Sequence, residues 1–325
     1  MTIRSHFVPQ FYLRNFGDTL FFYDKTDQSI KQSTPANLAL KKDFYGQADE
    51  NKSNPVESAL SHLEGDASAA ISEIIKTENY SNLSDKRKIA LCSFVALQYL
   101  RTQETRWRIT EIAEKVVNEV AKHMGITDWE VNVTGDGKTA MHLDIMKEFG
   151  TIATLLGKMG TIVFTNDTKI PFWTSDNPVV LNNEFKQFPW GNMGIISKGI
   201  EVHLPLTHRL DISFYDPVTY QGFPENAPTE EEGVIRQNYL QTIDSTRFMF
   251  SNTDGFYMAN DYLKSSPYAK NENKQRLGPG MHELKPEDFE GKEFHNKPEF
   301  WLDPNEVEKI RDQIEKHRKD SEQIN

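Results

Sequence analysis

The first half of the chain alternates apolar and polar positions at helical spacing. In "NPVESALSHLEGDASAAISEII", Val56, Leu60, Leu63, Ala67, Ala70, Ile71 and Ile74 recur every three or four residues, which places them on one face of a helix over 55–76. Asn54 is a cap and Pro55 suits the first turn, where its missing N–H costs nothing. A second helical region starts after Ser84 and runs to Gly125, with a break expected near Thr102–Thr105. A third helix is expected over 142–159, from Leu143, Met146, Phe149, Ile152, Leu155 and Leu156. The stretch 132–139 between them, "NVTGDGKT", reads as a polar loop. The opening segment 5–16 reads as a short helix with Pro9 at its first position.

The pattern then changes. A hairpin is expected early, with a strand near Leu20–Tyr23 turning through Asp24–Asp27. From 161 on, "TIVFT", "PFWTS", "PVVL", "IEVHLPL", "RLDISFYD" and "RFMFSN" are short β-rich runs separated by turn residues, interrupted by one helix near 229–246. After about 265 the chain is charged and turn-rich, and it closes with a helix over 303–319 capped by Asp303. The fold class is α+β: a helical N-terminal half packed on a mostly antiparallel sheet, with a peripheral C-terminal extension. The expected division is one domain over 1–264, helical over 50–160 and β-rich over 161–264, followed by the extension 265–325.

Composition narrows the functions. The 325 residues carry 37 Lys and Arg against 48 Asp and Glu, a net charge of -11. Sequence-independent nucleic-acid binding needs clustered positive charge, so bulk duplex-DNA binding is not expected. No apolar run approaches the ~20 residues that cross a bilayer, and no membrane association or signal peptide is expected. One cysteine, Cys92, excludes an intrachain disulfide and a cysteine-based zinc site. A cytoplasmic protein is expected.

No phosphate-loop, dinucleotide, zincin or nucleophile-elbow motif is present. His203 and His208, in "VHLPLTH", read as strand and turn histidines. Three places stand out. His6, Gln10 and Arg14 lie four apart, sharing a face if the segment is helical; the alternative is a solvated terminal helix. "FWTSDNPVVL" carries Ser175, Asp176, Asn177 and Pro178 between two strands, either a turn or a site residue presented over a rigid sheet. Glu57 and Glu64 sit two helical turns apart, as do Arg101 and Arg108 on the next helix. Such a pairing makes either a structural ion-pair seam or a cleft that grips phosphate or carboxylate.

Together, His6, Pro9, Gln10, Leu13, Arg14 and Phe16, the Ser175–Pro178 turn, "DFYG" at 43–46, "QYLRT" at 98–102 and "RQNYLQTIDSTRFMFSN" at 236–252 resemble a widespread, mainly bacterial family. It is known as a domain of unknown function, and the resemblance covers roughly 5–260. It implies that His6, Gln10, Glu57, Glu64, Arg101, Asp176 and Asn238 occupy the family's characteristic polar positions. The expectation is a hydrolase acting on a phosphorylated substrate, a nucleotide or RNA, in host defence. His6, Asp176 and Glu64 would be catalytic, and Gln10, Arg14, Glu57, Arg101, Asn177 and Asn238 would bind ligand. The residues name no cofactor: Asp176, with Glu57 or Glu64, would either bind a divalent cation such as Mg²⁺ or activate water. The alternative is a non-catalytic ligand-sensing or protein-binding module.

Overall fold

The computed structural model describes residues 4–46, 54–126, 131–185, 194–270, 290–291 and 297–324. The chain opens on a short strand, β1 (Arg4–His6), and a helix of five residues, α1 (Gln10–Arg14). Pro9 is extended and caps the helix instead of starting it. The hairpin β2 (Leu20–Asp24) and β3 (Ser29–Ser33) follows as expected, and β4 (Leu40–Lys42) returns to pair with β1.

Helix α2 (Pro55–Thr77) starts where the sequence says it should. The Asn54 side chain accepts from the N–H groups of Val56 and Glu57, satisfying two of the unpaired donors at a helix start. Leu60, Ala67, Ala70, Ile71 and Ile74 are buried against α3 (Asp85–Leu100). The chain breaks at Arg101 and Thr102 and resumes as α4 (Gln103–His123), with Thr102 Oγ1 accepting from the N–H of Thr105.

The helix expected over 142–159 is two helices. α5 (Gly135–Met146) and α6 (Phe149–Leu156) meet at Lys147 and Glu148, and the glycines read as loop lie in the first turn of α5. The Glu148 carboxylate beside this joint accepts from Arg311 Nε at 3.1 Å.

The β-rich half adds β5 (Gly160–Asn166), β6 (Thr174–Ser175), β7 (Val180–Asn183), β8 (Ile200–Pro205), β9 (Leu210–Tyr215), β10 (Asn226–Thr229), α7 (Glu231–Asp244), β11 (Phe248–Ser251) and α8 (Ala259–Ser265). One sheet runs β10-β5-β9-β8-β7 and is antiparallel except for the edge pair β10–β5. A second runs β3-β2-β11-β6, so the N-terminal hairpin is completed by strands more than 140 residues away. The single sheet expected from 161–260 is thus two sheets.

Period-two alternation in the larger sheet separates its faces. Val202, Leu204, Ile212, Phe214 and Val163 face the helices and join the main core with residues of α2 and α3. The other face carries His203, Asp211 and Ser213 beneath α7. The last helix, α9 (Pro304–Ile324), lies on α6. The turn-rich stretch at 271–289 lies outside the described residues. Among the described residues no helix is long and apolar enough to cross a membrane.

Candidate functional site

Two polar clusters account for the residues singled out in the sequence. The first gathers around the N-terminal segment. His6 belongs to β1, not to α1, so the three-residue row does not lie on one helix. The row nevertheless forms. Arg14 donates to Gln10 Oε1 at 3.0 Å, and Gln10 Nε2 meets His6 Nε2 at 3.0 Å. It runs from exposed Arg14 inward to half-buried His6.

At its inner end lies Arg101, whose side chain is 0% exposed. The chain break after α3 turns its guanidinium back toward β1. Nε donates to the Phe7 carbonyl and to Gln98 Oε1, and Nη1 pairs with Glu64 at 2.7 Å. Nη2 is buried and has no hydrogen-bond partner. Ser5 Oγ and Glu57 Oε1 are also buried without a well-formed bond, and they face one another. Buried polar atoms are rarely left unpaired, and an unpaired guanidinium nitrogen costs more than a neutral donor.

Electrostatics tunes the titratable members in opposite directions. Burial lowers the imidazole of His6 below its usual range, so it is neutral at pH 7; the nearby carbonyl of Leu38 and carboxylate of Glu64 oppose this. Burial raises the Glu57 carboxyl, while Ser5 and Arg101 pull it down. Carboxyl and imidazole groups with environments of this kind are candidates for acid and base roles.

Arg108 does not join the site. The break at Thr102 rotates it away from α2, and its guanidinium reaches Tyr99 and Asp244 instead. The expected two-by-two pairing of Glu57 and Glu64 with Arg101 and Arg108 therefore reduces to Glu64 with Arg101.

The second cluster is the Ser175–Pro178 turn. Asp176 is 2% exposed. Its two oxygens accept from the backbone N–H groups of Thr246, Arg247 and Phe248, all within 2.9 Å. Burial pushes its carboxyl up to about 6, against the pull of those three donors and of the Lys25 ammonium. Asn177 accepts from Thr102 and donates to Asp244. Ser175 donates to Gln241, which donates in turn to the Pro178 carbonyl. Asn238 holds the preceding segment, accepting from the Trp173 N–H and donating to the Pro171 carbonyl. Lys25, fully buried, caps the end of α7 through the carbonyls of Thr242 and Ser245.

The Thr102–Asn177 bond makes the two clusters neighbours. Among the described residues no hydrogen bond or ion pair joins His6 to Asp176. The structure thus brings together His6, Gln10, Arg14, Glu57, Glu64 and Arg101, and sets Asp176, Asn177 and Asn238 in a separate network of backbone clasps. Sequence reading missed Ser5 and Gln98, which share the first cluster. It also missed His142, whose ring is gripped by Arg106 and the Leu100 carbonyl. Among the described residues, no group of three or more His, Cys, Asp or Glu is arranged to hold a metal ion.

These features define an α+β protein whose extreme N-terminal strand lays a polar row against a helix break. The chain belongs to the DUF4238 family, described as a protein of unknown function; the family's model matches residues 4–255. Neither a curated protein nor a solved structure matches the chain.

Proposed function

We propose that the N-terminal cluster is a hydrolytic site for a phosphorylated substrate, a nucleotide or RNA. The observation that carries this reading is the buried, unpartnered Nη2 of Arg101. A guanidinium donor held in place by Glu64, Gln98 and a backbone carbonyl is preorganised for an anionic oxygen. A phosphoryl group bound there would lie beside a neutral imidazole and a carboxyl inclined to keep its proton. The attacking water displaces the Gln10 amide from His6 Nε2, and that nitrogen takes the water's proton as the new P–O bond forms. Glu57 gives its proton to the oxygen that leaves as the old P–O bond breaks. Glu64 fixes Arg101, and Gln10 and Arg14 orient His6 and line the approach from solvent.

Asp176 is outside this scheme because both of its oxygens are already engaged by backbone donors. A divalent cation carried in by the substrate's phosphates is compatible with the scheme, since Mg²⁺ commonly uses only one or two protein carboxylates. Cytoplasmic turnover of nucleotides or RNA would fit a defence role, and that is the setting this reading proposes.

The test is a turnover screen of nucleoside mono-, di- and triphosphates and single-stranded RNA, with Mg²⁺ and with chelator. Turnover that falls roughly 100-fold or more in His6→Ala, the range expected for losing a general base, supports the reading. It must do so with an unchanged melting temperature. Absence of turnover across the panel in both conditions, or turnover indifferent to His6→Ala, sinks it. Saturable binding without turnover would instead favour the ligand-sensing module.

A further inference from the structure

The sheet face beneath α7 is polar where a covered sheet face is ordinarily apolar. Register places His203 directly opposite Ser213, Glu201 opposite Tyr215, and Ile162 beside Ser213. His203 Nδ1 meets Ser213 Oγ at 2.5 Å and His203 Nε2 meets Glu201 Oε2 at 3.3 Å. Ser213 donates to Asp211 at 2.7 Å. From α7, Gln237 Nε2 meets His203 Nδ1 at 2.9 Å, and Arg236 pairs with both Glu201 and Glu184.

Ile162, Glu201, His203, Ser213, Arg236 and Gln237 line a cavity of about 250 Å³. That equals the liquid volume of about eight waters at ~30 Å³ each, enough for one or two fused rings. Phe164, Phe172, Tyr215 and Phe223 supply its aromatic walls. Two glycines let its wall residues Tyr215 and Thr229 pack closely on the backbone. A Cβ at Gly160 would come within 2.1 Å of the Tyr215 ring, and one at Gly233 within 2.3 Å of Thr229 Oγ1. Gln237 is 6% exposed, and its amide Oε1 has no partner.

We propose that this cavity is a second binding site, for a small uncharged planar heterocycle of the nucleobase class. The aromatic walls favour a flat ring, since base-on-aromatic stacking tolerates any π-face. The free end of the Gln237 amide, with Thr229 Oγ1, offers the polar edge that such a ring requires. The charged side chains are paired among themselves: Glu201 and Asp211 flank His203, and Arg236 sits between Glu201 and Glu184. Burial lowers the His203 imidazole, and Asp211 and Glu201 outweigh it and raise it above its usual range. A net charge on the ligand would therefore meet no uncompensated partner, and its desolvation would go unrewarded.

The site is separate from the phosphoryl site proposed above, because the core face of the same sheet lies between it and α2. Its test accordingly reads binding rather than turnover. Adenine, guanine and uracil are titrated into the full chain, followed by calorimetry and saturation-transfer NMR. We expect one-to-one binding that weakens at least tenfold in Gln237→Leu and disappears in Thr229→Trp, which fills the cavity. Circular dichroism confirms that each variant is folded, and either one alone suffices. No saturation transfer from any of the three bases overturns the proposal. So does binding that is unchanged in the folded variants, or displacement of the base by inorganic phosphate.

Discussion

Asp176 illustrates how a residue earns burial without chemistry. A carboxylate out of water is costly unless its lone pairs are filled, and here three consecutive backbone N–H groups fill them. Asp176→Asn keeps the size but turns one acceptor into a donor facing donors. Each buried donor left unpaired costs roughly 1–3 kcal/mol, so we expect a loss of about 3 kcal/mol in urea unfolding. A loss below about 1 kcal/mol would show that the clasp is not what holds the strand β11 entry. His142 makes a pH-dependent counterpart. Its Nε2–H donates to the Leu100 carbonyl and its Nδ1 accepts from Arg106, so a second proton would point at a guanidinium. Burial, then Arg106, pushes its pKa down to about 3. The unfolded chain takes up that proton near pH 6.5, before the native state does. Stability from this residue is therefore whole above pH 6.5 and is lost as pH falls toward 3, by up to about 1.4 kcal/mol per pH unit. Asp176, with its raised pKa, opposes this between about pH 4 and 6, so the wild-type profile alone conceals the effect. His142→Gln keeps a donor and an acceptor but cannot titrate. The stability gap between wild type and this variant should shrink from pH 7 to pH 4.5, and a constant gap would exonerate His142.

At the scale of elements, the break between α3 and α4 is what makes a site out of a helical pair. It turns Arg101 toward β1 while Thr102 binds Asn177. Thr102→Val removes both the cap of α4 and that bond. A lost cap costs about 0.5–2 kcal/mol, and we expect about 2 kcal/mol here, with faster amide exchange confined to 102–106. Unchanged exchange there would mean the break is imposed by packing alone. This break was legible in the sequence because Arg101–Thr105 interrupts the apolar period with five polar residues. The start of α2 was legible from Asn54 and Pro55 for the same local reason. The joint between α5 and α6 was not, because Leu143 to Leu156 keep an unbroken apolar spacing across it. Nor was β10: it is four residues long and contains Pro228, which an edge position tolerates. The spacing of His6, Gln10 and Arg14 announced a polar row even though the helix starts only at Gln10. The partners of Asp176 left no trace, since backbone N–H groups carry no residue identity. The His203–Ser213 pair depends on strand register, which a strand-by-strand reading does not supply.

Helices α2 and α3 cover one face of the larger sheet and α7 the other, and the N-terminal hairpin shares its sheet with strands from 174–251. Such interleaving means that residues 4–255 unfold together, because the four-stranded sheet closes only with both ends of that span and the larger sheet shares its core with α2 and α3. The C-terminal extension stands apart from this logic. The segment at 299–301 docks through backbone bonds from Lys198 and Trp301, and α9 then lies on α6, with Ile314 against Gly150 and Ile310 buried. Among the described residues, the ion pairs from α9 to the rest of the chain are exposed, Arg311 with Glu148 and Glu306 with Lys158, each contributing between about 0 and 1 kcal/mol. Burying Ile310 and part of Ile314 contributes about 2–5 kcal/mol. Part of that is offset by the entropy of ordering the helix. Deleting 303–325 should therefore leave a single cooperative unfolding transition, lowered by roughly 5–10 °C at 2–4 °C per kcal/mol. Amide protection in α3 and β9 should persist. Loss of the transition on this truncation would show that α9 closes the core on which both proposed sites rest.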